Sequence, residues 1–458
     1  MKIRAITVGM KRTKIKRNMF RPTSPAILAV LSALLVCSVK GADTLSLTQC
    51  VRLAERNSPE LAIAEGGIKA ARLSRDLISK ERWPQIKLAA DAGYAPFSHS
   101  FGYDPAVSNG GELGARVVAE QSLYSGGTVG LKLQRQENNF RGQSLVMQRQ
   151  KRDLIYQVRQ AFINTLLAQG TLDLRKQRVV RLSTYTSLVN RLNKAGTARS
   201  VDLLNTKAEL GRAEIDASAA EQALKSARLN LMRLLGWGDT TALVLMGSLD
   251  SLLVNSADSG QTVLPEIRNG LNLDLNQARI DSTQSRLDLE LTRRTWRPTL
   301  SVSADAGYMT SRENLLLAPT ERYRSIGYSV GVNLEMPLWD WGKRKTEIAK
   351  GEINLRAAVD NISLITRDLR YEYQDARSGF ENARSRLSSI RTVLSTAENN
   401  FLLNKAQYAD GSANASDVLL AEQSLTDTRQ TELETLAEIQ LLKARLDMLI
   451  QPAQDSLP

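Results

Sequence analysis

Residues 90–94 read Ala-Asp-Ala-Gly-Tyr, and the same five residues return as 304–308, an offset of 214 positions (304 minus 90). The flanking residues repeat at a nearly constant offset, in the pairs Trp83-Pro84 and Trp296-Arg297-Pro298, Gly127 and Gly342, Arg152-Asp153-Leu154 and Arg367-Asp368-Leu369, Gly196 and Gly411, and Asp202 and Asp417. A constant offset over about 120 residues indicates that a whole structural unit is duplicated. We therefore expect a first repeat over residues 42–255 and a second over residues 256–458.

The charge of the chain is concentrated at its start. The net charge is +13, but residues 1–41 hold nine Lys or Arg and no acid, so the remainder has 52 basic and 48 acidic residues, about +4 (61 minus 9 is 52; 52 minus 48 is 4). The later cations alternate with acids along the helices, which is typical of a solvated surface. This distribution argues against a nucleic-acid-binding protein.

Residues 1–41 are predicted to be a secretory signal peptide. A basic stretch precedes an apolar run at 25–36, and small residues suitable for cleavage lie near Gly41. Translation from Met19 would give a more ordinary leader, and lipidation at Cys37 is an alternative to cleavage. A retained transmembrane helix is disfavoured because the apolar run is shorter than the ~20 residues that cross a bilayer.

Most of the remaining chain is predicted to be long helix. Thr128–Lys194 and Lys343–Gln407 contain no proline, and at ~1.5 Å per residue each could reach roughly 100 Å. Gly196 and Gly411 would end these helices and start helical hairpins over about 128–235 and 343–450. Shorter helices of roughly 30 to 36 residues are predicted at Leu47–Arg82, Val201–Leu235, Glu266–Thr295 and Ser416–Ile450. Because two of these end to end match one long helix, we expect a cylinder of long helices beside stacked shorter pairs.

Two strand hairpins are predicted over about 85–124 and 299–338. Apolar and small polar residues alternate there, as in the apolar series Leu300, Val302, Ala304, Ala306 and Tyr308. This period of two indicates strands of about ten residues between two different environments. Each hairpin would enclose a polar loop, at 97–111 and 310–324.

These hairpins could pack on a soluble core, but three features favour a membrane. The strand length suits a tilted outer-membrane strand, and the leader places the protein beyond the inner membrane. Tryptophans also cluster at the helix-proximal strand ends, where an interfacial belt would lie: Trp83, Trp296, Trp339 and Trp341. Four strands cannot close a barrel, because single-chain barrels have at least eight, so other copies of the chain must complete it.

Ordered motifs over nearly the whole mature chain resemble the TolC-like outer-membrane efflux protein family. Leu45–Leu61 is similar to the family's opening helix, and Pro265-Glu266-Ile267 to its second entry. The segment 337–342, Pro-Leu-Trp-Asp-Trp-Gly, resembles the barrel-to-helix junction, and 123–127 is a looser copy. The junction residues carried over from the family are Pro84, Pro298, Gly127, Gly342, Trp339 and Trp341, and the helix-hairpin turns are Gly196 and Gly411.

The resemblance implies a mainly helical homotrimer with a twelve-stranded transmembrane β-barrel, four strands per chain, continued by a periplasmic helical tunnel. It implies a passive exit duct in the outer membrane of a Gram-negative-type bacterium, in an efflux or type I secretion system, with a periplasmic adaptor and an inner-membrane pump as partners. It implies no cofactor, no bound nucleic acid and no enzymatic activity. The alternative is an exported trimeric coiled-coil or adhesin-like protein without a pore.

In the family the periplasmic end narrows at carboxylates of the second hairpin. The matching residue is Asp417, and three symmetry copies would repel one another and attract cations. Some family members have a second acidic residue three positions later, where this chain has Leu420. An arginine of the family, two residues after the turn glycine, is replaced here by Ala413. Tyr408 and Asp202 are predicted to form a closing hydrogen bond between neighbouring hairpins. The simpler interpretation is that Asp202 and Asp417 are first-turn acids stabilised by the helix dipole.

Two further expectations concern single residues and spacing. Cys50 is the only cysteine after the leader, and we expect it to be a buried helix residue and not a nucleophile. Pro59 to Pro84 spans 25 residues (84 minus 59), whereas Pro265 to Pro298 spans 33 (298 minus 265). We therefore expect eight extra residues in the second helix that leads to the strands, near the middle of the tunnel.

Overall fold

The structure is a computed structural model that describes residues 44–95, 110–237, 244–250, 272–312 and 322–450. The predicted leader, with Cys37, lies outside these residues, as does most of each predicted strand loop. The described chain is mainly helical with a small antiparallel sheet. In chain order the elements are β1 (Thr44–Leu45), α1 (Leu47–Asn57), α2 (Pro59–Lys80), β2 (Gln85–Ala95), β3 (Gly110–Ser125), α3 (Thr128–Lys194), α4 (Ser200–Leu235), β4 (Val244–Leu245), α5 (Leu273–Arg294), β5 (Thr299–Arg312), β6 (Arg322–Glu335), α6 (Lys343–Ala409) and α7 (Ala415–Ile450).

The helices form one layer, in which α3 and α6 extend from the strands to the hairpin turns. Both have 67 residues, α4 and α7 have 36 each, and α2 and α5 have 22 each. Near the strands the neighbours follow the order α2, α3, α5, α6, and toward the hairpin turns the order is α4, α3, α7, α6. The predicted arrangement of long helices beside stacked shorter ones is therefore present in the chain.

Four strands form a single antiparallel sheet in the order β2-β3-β5-β6. Val117 of β3 lies opposite Leu88 on one side and Ala306 on the other, which joins the two hairpins into one sheet. Alternate side chains make a continuous apolar face that is exposed, and its most exposed members include Ile86, Leu88, Ile326, Tyr328, Val330 and Leu334. The described chain itself thus leaves this face without apolar cover.

The strand boundaries differ from the predicted ones in two ways. The strands have 11, 16, 14 and 14 residues, longer than expected, because pairing continues into the ends of the predicted loops, as at Gly110 and Arg322. Strand β6 ends at Glu335, and the prediction that it reaches Leu338 was wrong. Pro337 has no backbone N–H and cannot extend the ladder.

Two predicted helices are also corrected. The expected helix Leu47–Arg82 is broken into α1 and α2, because Pro59 lacks an N–H and holds Ser58 in an extended conformation (φ −70°, ψ 118°). The Ser58 hydroxyl then caps α2 by accepting from the Leu61 N–H. The expected helix from Glu266 is described only from Leu273, where the Asn272 side chain caps α5.

The predicted eight-residue extension of the second strand-leading helix is wrong. Helices α2 and α5 both have 22 residues, and their first residues, Pro59 and Leu273, keep the offset of 214 (273 minus 59). The additional residues therefore precede Asn272. The structural counterpart of Pro59, which begins α2, is Leu273.

The main hydrophobic core is formed by residues of α1, α3, α4, α6 and α7, and α1 packs there against α3 and α4. Phe162, Val158 and Leu231 are fully buried there. Cys50 of α1 is also fully buried, which confirms the expectation that it is a buried helix residue. No helix within the described residues is apolar over a stretch long enough to cross a membrane.

Contacts that sequence patterns do not reveal tie the ends of each half together. Strand β1 pairs in parallel with β4, so that Thr44 lies opposite Val244. The Asn57 amide donates to the carbonyl of Leu235 at 3.0 Å, and the Asn272 amide donates to the carbonyl of Leu449 at 3.1 Å. In both halves, therefore, an asparagine just before the helix that leads to the strands donates a hydrogen bond to a free carbonyl at the end of the second hairpin helix.

Candidate functional site

Both helical hairpins turn through the same backbone motif. Gly196 and Gly411 have left-handed conformations, with φ of +80° and +79°. The Thr197 N–H donates to the Leu192 carbonyl, and the Ser412 N–H donates to the Gln407 carbonyl, so each helix ends in a Schellman motif. Both predicted turn glycines thus occupy backbone conformations that other residues adopt only at a cost. We define the two turns and their adjoining residues as the tip.

The structure places Asp202 in the first turn of α4, where it is buried. Its carboxylate accepts two hydrogen bonds from the Arg199 guanidinium, at 3.0 and 3.3 Å. Asp202 therefore has a partner within its own turn. The predicted hydrogen bond between Asp202 and Tyr408 is absent within one chain.

Asp417 occupies the matching position in the first turn of α7 and is half-buried. One carboxylate oxygen accepts from the Asn414 N–H at 3.1 Å, while the Asp417 N–H donates to the Asn414 carbonyl at 3.1 Å. This is the geometry of a first-turn acid that satisfies a helix N-terminus.

Tyr408, near the end of α6, contacts a second tyrosine that sequence reasoning missed. Its ring packs edge-to-face on Tyr185 of α3, with 5.4 Å between ring centroids. The Tyr185 hydroxyl donates to the Ala415 carbonyl at 3.4 Å. Burial raises the pKa of both hydroxyls, and the carboxylate of Asp202 raises them further. Both tyrosines therefore stay neutral at ordinary pH.

The Tyr408 hydroxyl is buried and has no hydrogen-bond partner in the described part of the chain. A buried unsatisfied hydroxyl is costly, so such groups usually have a function or a partner outside the chain. The tip thus brings the three predicted constriction residues together with Tyr185. The signal that could have found Tyr185 is its place on the apolar face of α3, but this face does not reveal which helix packs there.

A second feature that the sequence did not reveal lies behind the tip. Glu422 of α7 is 2% exposed, and its two oxygens accept from Arg178 at 3.1 Å and Arg181 at 2.9 Å. The Thr426 hydroxyl donates to the same carboxylate at 2.9 Å, and Arg178 also reaches Asp216 of α4 at 3.1 Å. The network joins three helices, α3, α4 and α7, behind the two turns.

The junction between strands and helices carries the other predicted residues. Pro84 and Pro298 immediately precede β2 and β5, where a missing N–H removes no ladder bond. Gly127 and Gly342 begin α3 and α6 in left-handed conformations, with φ of +74° and +87°. The structure therefore assigns each predicted proline to a strand start and each predicted glycine to a helix start.

Trp339 and Trp341 lie on the surface of the second junction. They are 74% and 90% exposed, and their rings meet edge-to-face at 5.9 Å. Trp341 has φ of +56°, a conformation that costs a non-glycine residue about 1–3 kcal/mol. The Asp340 carboxylate compensates by accepting from the N–H groups of Gly342, at 3.0 Å, and Arg344, at 2.6 Å.

The described residues contain no group of three or more His, Cys, Asp or Glu side chains that could hold a metal ion. The tip holds Tyr185 and Tyr408, the carboxyl groups of Asp202 and Asp417 at two helix starts, and Arg199, which pairs with Asp202.

Comparison with known proteins agrees with this architecture. The family model described as "Outer membrane efflux protein" matches residues 50–237 and 267–450. The cobalt-zinc-cadmium resistance protein CzcC of Cupriavidus metallidurans is 24% identical over 307 residues, which cover 65% of this chain and 68% of that protein.

Solved structures share the fold at low sequence identity. The transmembrane channel protein CusC has a TM-score of 0.73 at 18% identity, covering 89% of this chain and 92% of its own. The outer membrane protein VceC from Vibrio cholerae has a TM-score of 0.71 at 15% identity, covering 89% of this chain and 96% of its own. The family match spans most of the chain and includes both helical hairpins. The chain therefore belongs to the outer membrane efflux protein family.

Proposed function

We propose that this chain is one of three identical subunits that form the outer-membrane exit duct of an efflux or type I secretion system. The observation that carries the proposal is the pair of open edges. Within the described sheet, β2 and β6 each pair with one neighbour only, and the sheet's apolar face is exposed. Unpaired strand edges are not tolerated in lipid, so other copies must complete the sheet.

The helical layer ends in the same way as the sheet. Helices α2 and α4 form one edge of the helical layer, on the same side as the edge strand β2. Helix α6 forms the opposite edge, on the same side as the edge strand β6. Both helical edges expose large apolar side chains, including Leu73, Leu204, Ile215, Ile353, Val393 and Leu402. A head-to-tail contact between these unlike edges closes into a ring. Two copies would give eight strands, and the family resemblance favours three copies and twelve strands.

The internal repeat belongs to the same proposal. Residues 42–255 and 256–458 would each supply one strand hairpin, one 67-residue helix and one 36-residue helix. The matched helix lengths and the two asparagine contacts at Leu235 and Leu449 support a duplication. The predicted signal peptide would export the chain across the inner membrane, and the helical layer would lie in the periplasm.

Substrates would pass through the duct without a covalent step. Energy would enter at an inner-membrane pump, and a periplasmic adaptor would contact the tip. The tip would hold the constriction, with Asp417 of three subunits forming a cation-attracting ring and Tyr408 accepting a partner from a neighbouring subunit. The name of the relative CzcC makes divalent metal cations the first cargo to examine.

The test is conductance of the purified protein in planar bilayers. We expect a detergent-extracted trimer to form cation-selective channels. Asp417→Asn should shift the reversal potential in a salt gradient toward zero, because the channel loses cation selectivity. The matched control is Asp410→Asn, which removes one exposed charge from the neighbouring turn. An equal shift in both variants would assign selectivity to general tip charge. A water-soluble rod without conductance would instead support the alternative, an exported coiled-coil or adhesin-like protein.

A further inference from the structure

The second junction, residues 337–345, combines exposed aromatic and cationic side chains. After Trp339 and Trp341, helix α6 begins with Lys343, Arg344 and Lys345, all of which are exposed. The junction carries three cations and one acid, Asp340, and it adjoins the exposed apolar face of β6. This arrangement matters only if the sheet lies in a membrane, so the inference rests on the proposed function.

The three cations have few partners within the chain. Lys343 reaches Glu347 only at 3.9 Å, and the Arg344 guanidinium lies over the Trp296 ring at 5.3 Å. In the described part of the chain, Lys345 has no carboxylate partner. The neighbouring arginine Arg294 is different, since it donates to the Gly127 carbonyl at 2.8 Å. The cations of the second junction therefore remain available to an external anion.

The first junction serves as an internal comparison. Helix α3 has the same length as α6 and also starts after a left-handed glycine, yet it begins with Thr128-Val129-Gly130 and has no cation in this stretch. The cations are therefore not needed to build such a junction. The helix dipole also disfavours positive charge in a first turn, and α6 has no acid within that turn, although the Asp340 carboxylate just before it accepts from the Arg344 N–H.

We propose that the second junction binds the anionic phospholipid headgroups of the leaflet that faces the helical layer. Tryptophan places an apolar ring and a polar N–H at the boundary between lipid and water. Lysine and arginine next to a membrane-spanning segment attract anionic lipid, and this attraction weakens with salt. The apolar face that ends at Leu334 and Leu338 continues into Trp339 and Trp341, so the cations lie at headgroup level.

The experiment uses the full-length trimer in phosphatidylcholine vesicles that contain either dibrominated phosphatidylglycerol or dibrominated phosphatidylcholine. Bromine quenches nearby tryptophan, so the difference in fluorescence between the natural protein and Trp341→Phe reports lipids at this site. The matched variant Lys343→Thr/Arg344→Val/Lys345→Gly carries the sequence of the first junction. Conductance of every variant is measured separately, because loss of insertion would count against the proposed function and not against lipid selectivity.

We expect about tenfold preferential association of phosphatidylglycerol with the natural junction at low ionic strength, falling toward parity in high salt. The triple variant should lose this preference while it still conducts. Equal quenching by both brominated lipids in the natural protein would overturn the proposal, as would a preference that persists in the triple variant. Quenching by neither lipid would assign Trp341 to a contact between subunits and would also overturn it.

Discussion

The carboxylate of Glu422 accepts a hydrogen bond from the guanidinium of Arg181 at 2.9 Å, with only 2% of the glutamate exposed. The two residues lie 241 positions apart and join the second hairpin to the first. A buried charge is tolerated only when it is paired and hydrogen-bonded, and Arg178 and Thr426 complete this environment. This contact fixes the two hairpins relative to each other just behind the tip.

We expect Glu422→Gln to destabilise the chain strongly. Removal of the negative charge leaves Arg181, whose side chain is 18% exposed, without its charge partner, and loss of one member of a buried pair typically costs about 3–5 kcal/mol. The measurement is the free energy of unfolding in guanidinium, followed by circular dichroism. The matched control is Glu381→Gln, which breaks an exposed pair with Arg377 at 3.0 Å and should cost at most about 1 kcal/mol. Equal losses in the two variants would contradict the assigned role of Glu422.

We expect Gly411→Ala to lower the free energy of unfolding by about 1–2 kcal/mol, which is the usual cost of a left-handed conformation for a residue with a Cβ. No heavy atom lies within 4 Å of the added Cβ, so the effect comes from the backbone alone. Gly411→Asn should recover part of the loss. The control Gly211→Ala, in the middle of α4 and also in open space, should stabilise by about 0.4–1 kcal/mol. A stabilised Gly411→Ala would refute the assignment of this turn.

The stability of the tip should fall at high pH through Tyr185. Burial raises the pKa of this tyrosine above its ordinary value of 10.0, so the folded state holds the proton more tightly than the unfolded state. The contribution of Tyr185 to the free energy of unfolding is complete below about pH 10. Above that pH it declines by up to about 1.4 kcal/mol per pH unit. We expect the unfolding midpoint of Tyr185→Phe to fall less between pH 8 and pH 10.5 than that of the natural protein. The exposed control Tyr371→Phe should keep the natural slope.

Cys50 should be nearly inert toward thiol reagents in the folded protein. The residue is fully buried, and burial raises its pKa to about 11, so little thiolate forms at pH 8. We expect Ellman's reagent to react with it at least about 100-fold more slowly than with a cysteine at the exposed Thr48, placed in a Cys50→Ser background. Unfolding in guanidinium should make the two rates equal. Rapid labelling of folded Cys50 would show that α1 opens readily.

Much of the fold was predictable because it depends on local patterns. Alternation of period two marks the strands, and proline-free stretches with apolar steps of three and four mark the long helices. The predicted turn glycines Gly196 and Gly411 have the expected left-handed conformation. The break at Pro59 could also have been read, since proline removes a helical hydrogen bond wherever it occurs, but a continuous helix was expected there.

The site was less predictable, because its members meet through packing. Sequence position alone placed Asp202, Tyr408 and Asp417 near the two turns, and their constriction role stays a prediction. It did not indicate that Tyr185 packs on Tyr408, that the Arg199 guanidinium donates to the Asp202 carboxylate, or that Glu422 is buried. The eight-residue difference was misplaced for the same reason, since a spacing between prolines does not show where a helix begins.

The sequence by itself thus determined the duplicated pattern, the element types and the residues at each turn, because backbone preferences act over a few neighbouring positions. Only the tertiary structure decided which helices are neighbours. In one chain it paired α3 with α7, formed the Glu422 network across 241 residues and left β2 and β6 at open edges. These outcomes depend on which side chains share a buried space, and no local pattern encodes that choice.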